Sequence, residues 1–223
     1  MGGRARRRVV GVVDPPDMAA ELDDHDGELP AAGEALDGAR IVGADWSGAD
    51  IPDLRIEGTR LEGCQLTGAS FPGLRLMDCE LVDCELSGAL LDGLLAVRVA
   101  LRGCRLSGAV LADATLEDVS FDDCRMDGLS LRMAGLQGAT FTGCAMGESD
   151  LSNVRLARVR FDGCDLTAGE VGGARMEDVC FEGGALDDLR GALHLRGATA
   201  SSDLLVPLAV AVLADAGIKI DDA

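Results

Sequence analysis

The chain has 223 residues, with 20 Lys and Arg against 39 Asp and Glu, for a net charge of −19. That balance argues against direct binding to nucleic-acid phosphates and points instead to partners with basic surfaces. No run of 18 apolar residues is present to form a membrane-spanning helix. Tyr is absent, with five Phe and one Trp, so any core must be aliphatic and small-residue.

Residues 1–38 read as a non-repetitive, flexible leader holding four Arg, nine acids and Pro15, Pro16 and Pro30. Arg4, Arg6, Arg7 and Arg8 before Val9–Val13 imitate a signal-peptide start, but Asp14-Pro15-Pro16 ends the apolar run too early. A cytoplasmic location is the expectation. Asp24-His25-Asp26-Gly27 has the look of a calcium loop, yet Leu22 and Gly33 stand where the first and twelfth positions need ligands. The leader is therefore expected to be disordered or loosely docked, with a short strand over Val9–Val13 against the first coil as the alternative.

From residue 39 to 190 the chain keeps a five-residue register. Thirty consecutive positions, from Ile41, Trp46 and Ile51 through Phe181 and Leu186, are all apolar. Two residues before each of these centres the side chain is small or apolar, never charged, from Ala39 and Ala44 to Gly184. Gly stands two after the centre in 16 of the 30. Neither a helix, with period 3.6, nor a strand, with period 2, holds such a register. Two inward residues in five, with a bend where Gly is common, describe one side of a polygonal coil.

Cysteine gives the length of a full turn: Cys64, Cys84, Cys104, Cys124, Cys144 and Cys164 stand 20 residues apart. Four sides of five therefore close one turn, and about 7.5 turns stack as parallel strands about 4.8 Å apart. The ladder cysteines fall in inward small-residue slots and read as inert buried thiols, while Cys180 falls on an outward column. Ala96, Gly169 and Gly184 underfill the predicted core, and Leu90 and Leu95 fall on outward columns.

Residues 191–223 read as a terminal cap. Ser201-Ser202-Asp203 supplies an N-cap signal, Leu204–Ala216 is almost wholly apolar, and Gly217 provides a stop. Such a helix must be buried on more than one side. Part is expected to close the open end of the coil and part to meet a second copy, with Leu204, Leu205, Leu208, Val212 and Leu213 as the candidate dimer residues.

The runs Ala44-Asp45-Trp46-Ser47-Gly48 and Ala139-Thr140-Phe141-Thr142-Gly143 resemble the pentapeptide-repeat family, over roughly residues 39–190. The resemblance implies an all-β solenoid, a right-handed quadrilateral parallel β-helix with centre and minus-two residues inside. It also implies a C-terminal helical cap that can dimerise. Several members of that family confer quinolone resistance by binding DNA gyrase in place of DNA.

Nothing predicts an enzyme or a cofactor. His25 and His194 have no motif around them, and no C-x-x-C, H-E-x-x-H or phosphate-binding loop is present. Outward charge is uneven. On the side centred on Leu116, Arg and acid balance; on the Phe121 side the net is −3; the Met126 and Leu131 sides carry −5 each. On the Leu116 side, the column of Arg55, Arg75, Arg155 and Arg175 runs beside Glu57, Glu117 and Glu177, and is expected to neighbour it with opposite charge. On the two acidic sides, Asp45, Asp50, Glu85, Asp92, Asp113, Asp127, Asp150, Asp165 and Glu170 form the candidate interaction surface. Two functions fit: a protein-interaction scaffold, or a DNA mimic directed at a topoisomerase.

Overall fold

Thirty corners build the coil. The computed structural model describes residues 12–30 and 33–218. In it, the residue two after each of the 30 centres has a positive φ, between 50° and 72°. Gly reaches that left-handed region without Cβ strain, which explains its 16 occurrences. Of the other 14 corners, eight are Asp and one is Asn153, residue types that tolerate this conformation through local hydrogen bonds. Part of the chain's acidity is thus a requirement of the turn.

The strands are β1 (Asp23–His25), β2 (Ala35–Asp37), β3 (Ala39–Val42), β4 (Arg55–Glu57), β5 (Arg60–Glu62) and β6 (Arg75–Val82). They continue as β7 (Leu95–Arg102), β8 (Thr115–Asp122), β9 (Gly135–Thr142), β10 (Arg155–Asp162), β11 (Arg175–Glu182) and β12 (Ala198–Ala200). All pair in parallel. Through the repeats the register advances by 20, as in Leu101↔Phe121 and Phe121↔Phe141. One path stacks ten strands from β1 to β12, so nine steps separate its ends. The solenoid is about nine turns, longer than the 7.5 expected, because both ends extend beyond residues 39–190.

The four sides are of two kinds. On the Leu116 and Phe121 sides each strand of eight residues bends at its left-handed corner and continues. Val99, Val119, Val159 and Val179 follow that corner, and β-branched side chains suit extended backbone. On the Met126 and Leu131 sides the chain closes tight turns, with Ala69 N–H donating to Leu66 C=O and Leu74 N–H to Phe71 C=O, each at 3.1 Å. Only single bridges join successive turns there, such as Glu85↔Arg105 and Leu90↔Val110.

The core is one apolar column along the axis. Twenty-eight of the 30 centres are buried, and Ile51 and Met176 are partly so. Phe121, Phe141, Phe161 and Phe181 stack one above another with centroids 4.7–4.9 Å apart. Ala96 leaves its slot short, and an apolar cavity of about 40 Å³ is lined there by Leu76, Ala96 and Leu116 among others.

Gly184 corrects one expectation. It is an altered backbone rather than an underfilled slot: its φ is +82°, and a Cβ would lie 1.9 Å from the Cys164 carbonyl oxygen. The cysteine ladder ends there because the chain has no room for a side chain.

Both ends are closed. The leader, expected to be disordered or loosely docked, is held against the coil at several of its described residues. β1 pairs with β3, β2 pairs with β4, and Leu36 is buried. Trp46 Nε1–H donates to Gly27 C=O at 2.7 Å, and Asp17 N–H donates to Asp78 Oδ1 at 2.9 Å. Asp26 accepts the Glu28 N–H and His25 Nδ1 accepts the Gly27 N–H, so the calcium-loop lookalike is a hydrogen-bonded turn. The alternative strand over Val9–Val13 falls mostly outside the described residues.

At the other end β12 extends the sheet beyond β11, and helix α1 (Leu205–Asp215) follows. Ser201 does not cap it by its side chain; its hydroxyl accepts the Gly183 N–H at 3.0 Å, tying the cap to the last turn. Asp215 accepts the N–H groups of Gly191 and Leu193, pinning the helix's far end.

Candidate interaction surface

The nine candidate carboxylates divide by what their oxygens do. Five stand immediately before a centre on a tight-turn side, where the carboxylate accepts the backbone N–H two residues on. These are Asp45 with Ser47, Glu85 with Ser87, Asp150 with Ser152, Asp165 with Thr167 and Glu170 with Gly172, all at 2.9–3.0 Å. Each clasps its own turn, the behaviour that makes Asp a turn residue. The Ser47 side chain, with the Ser47 N–H, holds Asp45 below the usual carboxylate range.

Three of these five also face a guanidinium. Glu85 lies 3.5 Å from Arg105, Asp150 lies 3.7 Å from Arg132, and Glu170 lies 3.4 Å from Arg190. The remaining four are different. Asp50, Asp92 and Asp127 are exposed and, among the described residues, have no side-chain hydrogen bond or ion pair. Asp113 is equally unpaired but occupies a left-handed corner, φ +55°. The acidic surface is therefore a mixture of turn clasps, neutralised pairs and spare charges.

Ion pairs concentrate instead on the Phe121 side. Asp24, Arg40, Glu62, Arg60, Glu80 and Arg102 form a continuous zigzag at 2.7–3.7 Å, climbing from β1 to β7. Farther up, Arg160 joins Asp162, at 3.1 Å, and Glu182. At the neighbouring corner Arg98 grips Asp78, its Nε donating at 2.6 Å. The Arg98 hydrogen bond, aided by the Asp17 N–H, holds Asp78 below the usual carboxylate range.

Charge counting missed these pairs. Their signal was nonetheless present: where a turn takes 20 residues, opposite charges at offsets of 20 and 22 are neighbours, as in Arg60–Glu80 and Arg40–Glu62. The pairing expected between the Arg55, Arg75, Arg155 and Arg175 column and Glu57, Glu117 and Glu177 does not form; none of these is in an ion pair among the described residues. Arg55 and Arg75 stand opposite each other, as do Arg155 and Arg175, so like charges neighbour along the column.

Models of the pentapeptide repeats match residues 35–68 and 59–93, and a model of the pentapeptide repeat region matches residues 96–171. The chain belongs to the pentapeptide-repeat family. Members fold as right-handed quadrilateral β-helices. Among solved structures it is similar to QnrB1, a plasmid-mediated fluoroquinolone resistance protein, at 18% identity and TM-score 0.35, covering 84% of this chain and 100% of that one. It is also similar to HetL, involved in heterocyst differentiation regulation in the cyanobacterium Nostoc, at 19% identity and TM-score 0.34, covering 74% of this chain and 88% of that one. Rfr23 from the cyanobacterium Cyanothece matches at 16% identity and TM-score 0.20, over 77% of this chain and 87% of that one. Comparison with curated proteins found no match.

The terminal helix of this pentapeptide-repeat protein separates its five candidate dimer residues. Leu204 is buried within its own chain and Leu208 packs on the core, so Leu204 has no surface to offer a second copy. Leu205 is 68% exposed, with Val206, Val210 and Val212 beside it on the helix also exposed, and Leu213 is half-buried. All eight thiols are free. Seven are buried and Cys180 is half-exposed. Each ladder thiol faces backbone carbonyls, Cys104 Sγ donating to Leu81 C=O at 3.4 Å, which favours the neutral form. Burial pushes Cys79 up to about 11. No helix among the described residues is long and apolar enough to cross a membrane.

Proposed function

We propose that this pentapeptide-repeat protein is a non-enzymatic scaffold, binding a protein partner with a basic surface through the Met126 and Leu131 sides of its rod. The observation that carries the reading is the contrast in pairing. On the Phe121 side every Arg is paired with an acid, leaving Asp83, Asp122 and Asp123 over. On the Met126 and Leu131 sides, by contrast, Asp50, Asp92 and Asp127 have no partner among the described residues and stand on a rigid support. Fixed, unpaired charge is available for steering and recognition. A cytoplasmic setting fits eight free thiols.

The test is partner capture by cross-linking in cells, then reconstitution with the purified partner. Binding is expected to weaken steeply between about 50 and 300 mM salt, as the Debye length falls from about 14 to 6 Å. Lys at Asp50, Asp92 and Asp127 together should abolish it. Binding that ignores both salt and these substitutions contradicts the proposal.

A sharper form is a DNA mimic occupying a type II topoisomerase such as DNA gyrase, favoured by the net charge of −19 on a straight rod. Inhibition of gyrase supercoiling at micromolar protein and low salt would support it. No effect would remove it and leave the scaffold. We further propose that two copies meet through the exposed apolar face of α1. Glu at Leu205 and Val206 should then halve the mass measured in solution, and a monomeric parent protein would refute the dimer.

A further inference from the structure

Single exposed apolar residues are ordinary on a protein surface, but a contiguous group is not. Leu90 and Val110 occupy successive rungs of one column on the Leu131 side, with Ser70 before them and Ser130 after. Leu90 is 45% exposed and Val110 half-buried. Around the next corner the same turn presents Leu95 and Val97, the latter paired with Met77, and all three are half-buried. No fold requirement explains Leu90, because its column holds Asp, Ser and Glu elsewhere. Asp92 and Asp113 stand at the edge of this patch, both exposed and without partners among the described residues.

An apolar centre with unpaired charge at its margin is the anatomy of an interface hot spot, where a desolvated anchor is flanked by complementary charges. We propose that Leu90 and Val110 anchor a docking site for a protein segment presenting an aliphatic side chain flanked by Lys or Arg. The inference rests on the scaffold reading and assigns its point of attachment. Asp92 and Asp113 select the basic residues, and the apolar pair supplies what a nucleic-acid surrogate would not need.

The probe is a pair of synthetic peptides, acetyl-Lys-Leu-Leu-Lys-amide and acetyl-Lys-Ser-Ser-Lys-amide, titrated at low salt into the full-length protein and followed by amide NMR. The leucine peptide should bind about tenfold more tightly, a difference of about 1.4 kcal/mol, and shift amides in residues 88–95 and 108–115. The double variant Leu90→Ser/Val110→Ser should erase that preference without changing the melting temperature, since both side chains point outward. Asp92→Asn should weaken both peptides while the leucine preference persists. Equal binding of the two peptides, or a preference that survives the double variant, overturns the docking site. Salt-sensitive binding of both peptides without preference would overturn it while supporting the broader scaffold. No binding of either would count against both.

Discussion

The Phe121 side and the two tight-turn sides hold their acids in different ways. On the Phe121 side, extended strands place long side chains on neighbouring rungs, and Glu62 and Glu80 each bridge two arginines. On the Met126 and Leu131 sides, tight turns bring a backbone N–H within reach of the preceding carboxylate, so Asp45 and Asp165 bond their own turns. On the first side four of the seven acids are paired with arginines, mostly between turns. On the others most paired acids also clasp their own turn, and Asp50, Asp92, Asp113 and Asp127 are left over among the described residues. The net charge of a side therefore says little about function until each oxygen has been traced to its partner.

The interior should not distinguish the sides, and the largest effects test this. Leu106→Asp, behind the Met126 side, and Phe141→Asp, behind the Phe121 side, should each destabilise by more than about 4 kcal/mol by placing an unpaired carboxylate in the core. Arg105→Asp, next in sequence but outward, should stay within about 1 kcal/mol. Chemical denaturation measures all three. Equal losses at Arg105 and Leu106 would break the inward/outward assignment.

Corners come next. Gly108 has φ +67° and open space around its missing Cβ. Gly108→Val should cost about 1–2 kcal/mol, from backbone strain alone, whereas Gly108→Asn should be close to neutral. A similar loss for both would show that the corner Asp residues are not there for their conformation.

At the leader, Asp78→Asn should cost about 1–2 kcal/mol, because the residue is buried against Arg98 and the Asp17 N–H. Arg98 lowers the folded-state pKa of Asp78, so this contribution is present above the ordinary carboxylate pKa and lost as pH falls through the folded value. The gap in melting temperature between parent and Asp78→Asn should thus close below about pH 4. A smaller gain is expected at Ala96→Val, about 0.5–1 kcal/mol from filling the 40 Å³ cavity. A loss there would mean that the slot is closed by its neighbours.

The fold was legible because each of the 30 centres obeys one rule, and a rule repeated at period five has a single geometric solution. The ends were less legible. Leu36 keeps the register, but Glu34 stands where an inward small residue is expected, and β1 joins the stack without any pentapeptide pattern. The candidate surface was only partly readable, since sequence shows which residues carry charge and not what neutralises them. The clasp of Asp45 on Ser47 depends on turn geometry, and the zigzag through Arg60 and Glu80 depends on the turn length that the cysteines mark. Gly184 is the opposite case, an apparent gap in a pattern that proves to be a change of backbone.

The most direct measurement compares the melting temperatures of Glu80→Lys and Asp92→Lys, the same charge reversal on the two kinds of side. Glu80 lies between Arg60 and Arg102, at 3.1 and 3.3 Å, so its reversal should lower the melting temperature by about 2–4 °C. Asp92 has no partner among the described residues, and its reversal should leave the melting temperature unchanged. A comparable fall for Asp92→Lys would make that carboxylate structural and contradict the claim that the turn sides hold charge in reserve for a partner.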